Sequence, residues 1–369
     1  MNFFNTKYIL GNKRHGWIDY DRGISIILVA YRHCYESMVK AGLNMKDHPW
    51  LEYINVFFFG FRMPLFFIAS GMFLSGSMKK YGWGKYAKNR VYSILYPMLV
   101  WGIIQITLQI IFSEYTNSKG DVNFRSYGYL IYFPRATGQF WYLNALFFVG
   151  IIYASLRHFL NFKVMHQLAL GLVLYFVCSY VNTHDIQVGF LNDIMKYYLF
   201  FSIGDWISDF LLSEKAEQIF TSGKFITFII VAFIINQLIF TKLNMMHNTT
   251  YYVENSVPLF FLLVAIVGCT LSICVSFSLK RNQKLKFLRV VGFNSVHIYC
   301  IHILVISVSR QFYMKFLHIH NPSLLIVLVL ITCLLVPVMT YNIFLRWNMW
   351  WFFTLKKPED EIAFIRSGN

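Results

Sequence analysis

The sequence predicts an all-α, polytopic integral membrane protein of about ten transmembrane helices, with both termini on the cytoplasmic side. Three observations carry this reading. The 369 residues are 57% hydrophobic and only 14% charged, with a mean hydropathy of +0.50, whereas a soluble domain carries about 25% charged residues. The apolar residues fall into runs close to the ~20 residues that a helix needs to cross hydrocarbon. The basic residues lie mostly in alternate loops, the pattern of cytoplasmic retention.

The runs place spans near residues 20–38, 54–76, 91–113, 140–157, 165–181, 193–212, 225–241, 258–279, 292–312 and 323–345. With the N-terminus inside, 21 of the 33 Lys and Arg fall on the cytoplasmic side, 8 fall outside, and four (Arg22, Arg32, Arg62 and Lys196) lie within spans. That asymmetry accounts for the formal charge of +16 and removes the need for a nucleic-acid partner. The domain reading is a cytoplasmic tail 1–19, one membrane domain 20–345 and a cytoplasmic tail 346–369. Loops are short except 114–139. No small-residue cleavage site follows the first apolar run, which is expected to be an uncleaved anchor. The six cysteines all fall in apolar stretches without a CxxC pair and read as buried free thiols. Gly11–Asn12–Lys13 is not a phosphate loop, no metal-ligand spacing is present, and no metal is expected. Phe57–Phe59 and Trp350–Trp351 read as lipid-facing or interfacial aromatics.

The first span, from Trp17 to Met38, is apolar yet carries Asp19, Asp21, Arg22, Arg32, His33 and Glu36. Ionisable groups in a bilayer core cost roughly 2.5–3.5 kcal/mol each on insertion scales, so they mark functional positions. Arg22 and His33 are eleven positions apart, which puts them on one helix face about 16 Å apart along the axis. His33 has two readings: a proton-exchanging or acyl-handling group that Glu36 polarises one turn on, or a neutral interhelical hydrogen-bonding residue beside an Arg32–Glu36 pair. Arg22 suits a phosphate, or serves as an ordinary positive-inside anchor. From the topology, His33, Arg62 and His302 share one depth. An arginine as deep as Arg62 is expected to face a cavity or a carboxylate. Lys196 is expected to pair with Asp193, and Asp205 with Arg22 or Arg62. His297 points about 140° away from His302 and stays out of that cluster.

These residues carry a family resemblance. IDYDRGISIILVAYRH resembles the opening of the acyltransferase-3 family of polytopic membrane acyltransferases, in which an Asp precedes Arg-Gly-Ile and a His follows the Arg after ten residues; here these are Asp19, Arg22, Gly23 and His33. FRMPLFFIASGMF resembles the family's MPLFF…SG segment at Met63 to Phe67, Ser70 and Gly71. Arg90 and Pro97 in NRVYSILYP, Trp141 and Leu143 in FWYLNALF, and Gly292, Ser295, Tyr299 and His302 in VGFNSVHIYCIH are similar to later segments, in the expected order. Two positions depart from the pattern: Arg62 stands where similar sequences often have a histidine, and no glutamate follows the tryptophan around Asn144.

The resemblance implies transfer of an acyl group, usually acetyl from cytoplasmic acetyl-CoA, to a hydroxyl of an extracytoplasmic glycan or glycolipid, in the inner membrane of a bacterium. Acetyl-CoA is then the co-substrate, and the bilayer, acyl-CoA and acceptor glycan are the partners. On this reading the catalytic residues are His33, Glu36 and Arg62, with Arg62 stabilising the oxyanion or orienting the acceptor. Arg22, Asp19, Arg90 and Ser70 would bind the acyl donor, and His302, Tyr299, Trp141 and Asn144 the acceptor. The competing reading is a transporter or flippase for a glycolipid, whose buried charges line a path. No repeated halves and no pair of interrupted helices in corresponding positions support it.

Overall fold

Long apolar runs bounded by Pro, Gly and polar residues fold here into helices. In the computed structural model, which describes residues 4–11, 15–113 and 122–366, the regular structure among the described residues is all helical. Asn12, Lys13, Arg14 and Lys119, and the 114–121 part of the long loop, lie outside the described residues. The main helices are α1 Gly16–Lys40, α2 Pro49–Phe57, α3 Phe59–Gly71, α4 Leu74–Arg90, α5 Tyr96–Ile111, α6 Trp141–Phe159, α7 Val164–Thr183, α8 Leu191–Leu211, α9 Gly223–Met246, α10 Pro258–Asn282, α11 Lys286–Phe293, α12 Ser295–Lys315 and α13 Pro322–Arg346. Local chemistry sets several boundaries. Pro258 and Pro322 occupy the first turns of α10 and α13, and the Asn321 side chain accepts from the Leu324 amide at 3.1 Å.

Eight helical stretches among the described residues are long and apolar enough to cross a membrane, counting Pro49–Gly71 and Leu74–Ile111 as one each. Helices α1 and α8 fall outside that set despite their 25 and 21 residues. Each carries charges, among them Asp19, Asp21, Arg22, Arg32 and Glu36 in α1 and Asp193, Lys196, Asp205 and Asp209 in α8. Most spans start and stop within a few residues of their expected limits, but the third begins early, because helix runs through Leu74–Ile111 across the expected loop before residue 91, and three further differences stand. The second begins at Pro49 and breaks at Phe58. The ninth begins at Ser295, because Lys286–Phe293 forms a separate helix ahead of it. The stretch expected as loop holds a short helix, Ser126–Tyr132, and tight helical turns over Pro134–Phe140.

The helices gather into two compact units. The first comprises Met1–Asn55, Tyr92–Trp141 and Leu285–Asn369. Within it α1 packs along α11, α12 and α13. Ala30, Cys34, Tyr35 and Met38 of α1 form an apolar cluster with Ile306 of α12 and Leu325, Ile326, Val329 and Cys333 of α13. At the other end of α1 the contact is backbone to backbone. A Cβ on Gly23 would collide with the Leu288 carbonyl, and one on Gly292 with the Asp19 carbonyl. Small residues permit this approach where lipid offers no hydrophobic drive between helices.

The second unit comprises Val56–Val91 and Tyr142–Lys284. Its α8 packs on α3 and α7, and α10 packs on α3 and α9. Gly71 of α3 lies against the Phe201 carbonyl of α8, and Gly204 of α8 against the Ile68 carbonyl of α3, a reciprocal close crossing. Within the run Phe57–Phe59, Phe59 departs from the lipid-facing or interfacial expectation: it is buried and stacks on Phe240 at 6.4 Å, while half-buried Phe57 meets Phe233 edge-on at 5.7 Å. All six cysteines are free and buried.

Alanine is normally favoured over glycine inside a helix by about 1 kcal/mol. Gly292→Ala should instead destabilise the detergent-solubilised protein by about 1–3 kcal/mol, because the added methyl meets backbone rather than a movable side chain. Gly76→Ala, which meets nothing within 4 Å, is the control and should leave the melting temperature unchanged or raised.

Candidate active site

Helix α1 is held along its length, and that fixes where His33 points. Near its start the buried Asp19 carboxylate lies 3.5 Å from Arg289 Nε of α11, and Arg289 also donates to the Leu10 carbonyl at 3.2 Å. Arg22, one turn beyond Asp19, is half-buried. Three turns further on, His33 has a side chain 17% exposed, and its Nδ1 is 3.3 Å from Glu36 Oε2. The other Glu36 oxygen accepts from Arg32 Nε at 2.5 Å. Both contacts are present in this turn: Glu36 pairs with Arg32 and also faces the imidazole. A carboxylate on Nδ1 orients the ring and stabilises the imidazolium that forms when the other nitrogen takes a proton.

Helix α12 brings His302 against this turn. The two imidazole centroids are 5.2 Å apart, with ring planes at 50°. His302 is fully buried, and its Nδ1 lies 3.1 Å from the Ile298 carbonyl and 2.9 Å from that of Tyr299. The Tyr299 ring is 5.5 Å from the His302 ring, and the Tyr299 hydroxyl donates to the Gln139 carbonyl. Gln139 Nε2 in turn donates to Gln105 Oε1 at 2.7 Å, both side chains being buried. Gly138, at φ +81°, supplies the left-handed turn that carries the chain past Gln139. Trp141 is half-buried, with the Arg135 guanidinium 4.3 Å from its ring centroid. His297 stacks on Tyr341 at 3.5 Å, on another face of α12, as its spacing predicts.

The remaining candidates belong to the second unit. Arg62 is buried, its guanidinium 4.9 Å from the Phe59 ring centroid. Asn144 is fully buried and Ser70 half-buried. Arg90 donates to the Tyr86 hydroxyl at 2.9 Å and lies 5.8 Å from the Phe201 ring. Two expected pairings are corrected. Lys196 pairs at 3.2 Å with Glu254, not with Asp193, because the short helix Tyr252–Ser256 brings Glu254 against α7 and α8, and both partners are buried. Asp205 pairs with Arg157, at 2.9 Å, and also accepts from the Tyr153 hydroxyl at 2.8 Å and from Ser75. Arg157 had the look of a loop anchor at the end of a span, yet its guanidinium reaches back along α6 to this carboxylate.

Sequence reasoning missed Arg289, Glu254 and the Gln105–Gln139 pair. Arg289 and Glu254 sit in short polar stretches where charge is unremarkable. Gln105 had a signal: an amide in the middle of an apolar run must find a partner. Among the described residues no group of three or more His, Cys, Asp or Glu side chains is placed to hold a metal ion.

With this geometry in place, comparison with known proteins is informative. The profile of an acyltransferase domain matches residues 15–342, nearly the whole chain. The chain belongs to the acyltransferase-3 family. Three relatives fit that placement. The inner membrane protein YcfT of Escherichia coli (strain K12) is 22% identical over 54% of this chain and 58% of its own length. The nodulation protein NolL of Sinorhizobium fredii (strain NBRC 101917 / NGR234) is 26% identical over 37% of this chain and 34% of its own. NolL of Mesorhizobium japonicum (strain LMG 29417 / CECT 9101 / MAFF 303099) is 27% identical over 40% and 37%. The chain thus spans between about a third and six tenths of the length of these relatives. No solved structure matches it. As a member of the acyltransferase-3 family with this run of apolar helices, it is an integral multi-pass membrane protein.

The buried Lys196–Glu254 pair gives a stability test. Lys196→Met alone should cost about 3–5 kcal/mol by leaving the Glu254 carboxylate buried without its cation. Adding Glu254→Leu should recover most of the loss, read as melting temperature in detergent.

Proposed function

We propose that this protein moves an acyl group, acetyl foremost, from acyl-CoA on the cytoplasmic side to a hydroxyl of an extracytoplasmic glycan or glycolipid. The observation that carries the proposal is the Glu36–His33 pair on α1, with His302 of α12 beside it and Arg22 of α1 about 16 Å away along the helix. A carboxylate-oriented histidine is what acyl transfer to a weakly acidic hydroxyl requires. It removes the hydroxyl proton as the C–O bond forms, or takes the acyl group first and yields it to the acceptor. Arg22 would hold a donor phosphate, since guanidinium binds phosphate with paired donors. Asp19, engaged with Arg289, would act by keeping the foot of α1 in place. The pantetheine arm would then run along the Arg22–His33 face and present the thioester to His33.

The location follows from the same reading. A cytoplasmic donor and an outward acceptor fit the bacterial cytoplasmic membrane, and the excess of Lys and Arg in alternate loops fits both termini inside. Bacterial relatives, one of them an inner membrane protein, support this.

His33→Ala should lower transfer at least a hundredfold, while Arg22→Ala should chiefly raise the KM for acetyl-CoA. Both are measured with purified protein in nanodiscs by release of the CoA thiol and, in cells, by mass analysis of ester groups on surface glycans and glycolipids. Equal, mild losses from both variants would assign the two residues to helix packing. Wild-type protein that neither binds nor turns over acetyl-CoA would overturn the transferase reading in favour of transport.

A further inference from the structure

Two imidazoles lie side by side in this site, and the backbone sets the tautomer of one. His302 Nδ1 sits within hydrogen-bond distance of two carbonyl oxygens, those of Ile298 and Tyr299. Carbonyls only accept, so Nδ1 carries the hydrogen and Nε2 of the neutral ring presents a lone pair. That Nε2 is buried and has no hydrogen-bond partner among the described residues. Tyr299, three residues earlier on the same helix, donates its O–H to the Gln139 carbonyl. An acceptor held in one orientation, buried and unmatched, is costly unless something supplies a donor. Its neighbour His33 is partly exposed, so the pair borders space that a substrate group can reach.

We propose that His302 is a second catalytic residue, whose Nε2 receives the proton of the acceptor hydroxyl. The inference rests on the acyl-transfer reading above and divides the labour within it. His302 handles the incoming alcohol, and His33 with Glu36 handles the acyl side. As the acceptor oxygen bonds to the thioester carbonyl carbon, its O–H bond breaks and the proton passes to Nε2. The C–S bond then breaks, and the thiolate takes a proton back from the histidine pair. An ester and a free thiol result, with no net gain or loss of protons. The backbone bond at Nδ1 holds the hydrogen there and leaves the Nε2 lone pair to take the hydroxyl proton.

Two substitutions separate this role from a structural one. Asparagine bonds the carbonyl four residues back at Asn236, Asn294 and Asn342 of this chain, at 2.7, 2.9 and 2.9 Å. His302→Asn therefore keeps the Nδ1 bond and removes Nε2. His302→Gln carries an amide out toward the Nε2 position, where it can accept a hydrogen bond but not a proton. Both are assayed in nanodiscs with radiolabelled acetyl-CoA and a total glycolipid extract, alongside melting temperature and acetyl-CoA binding. The expected result is unchanged melting and acetyl-CoA binding, with transfer reduced at least a hundredfold in both variants. Near-wild-type transfer by His302→Asn overturns the proposal, since the Nδ1 bond alone would then suffice. Rescue by His302→Gln, or a loss of transfer that tracks a loss of melting temperature, overturns it as well. Absence of transfer by the wild-type protein is a different result and overturns the acyl-transfer reading itself.

Discussion

The backbone contact between α1 and α11 is the constraint on which the candidate site depends. Gly23 admits the Leu288 carbonyl, Gly292 admits the Asp19 carbonyl, and Arg289 closes over Asp19. A helix with this many charges has little hydrophobic reason to stay at one height or one rotation in lipid. Close backbone contact supplies that reason, because dispersion and weak Cα–H···O contacts reward one register only. Once the foot of α1 is set, a straight helix carries His33 to a determined place three turns further on.

The second hold on α1 is the apolar cluster near its other end, where Cys34, Tyr35 and Met38 pack on α12 and α13. Cys34 and His33 are neighbours that point to different sides. The thiol faces Cys333 at 4.0 Å within the cluster, while the imidazole faces Glu36 and His302. The polar side of α1 is thus defined by the side that packs. The same logic runs through α12, where Ile306 joins the cluster and His302 turns to His33.

Charge within the second unit has a different character. Lys196 with Glu254, and Asp205 with Arg157, Tyr153 and Ser75, are pairings that tie helices together. In these two pairs each buried charge meets an opposite charge. In the first unit the histidine pair leaves one buried nitrogen without a hydrogen-bond partner among the described residues.

Much of this was legible from the residues alone. Hydropathy runs are local properties, so the helices and their approximate limits followed from composition and spacing, as did the face shared by Arg22 and His33 and the exclusion of His297 from the His302 cluster. The motif order from Asp19 to His302 was enough to suggest the family that the profile match then established. Partner choice was not legible. Lys196 and Asp193 are one turn apart, yet Lys196 takes Glu254 from a short helix 58 positions downstream, because burial rewards the carboxylate that packing delivers rather than the one that is near in sequence. The shared depth of His33 and His302 could be read from topology, but the 5.2 Å between their rings and the fixed tautomer of His302 came only from how α1 and α12 pack. A sequence sets which groups are placed in the membrane; contact between helices decides which of them meet.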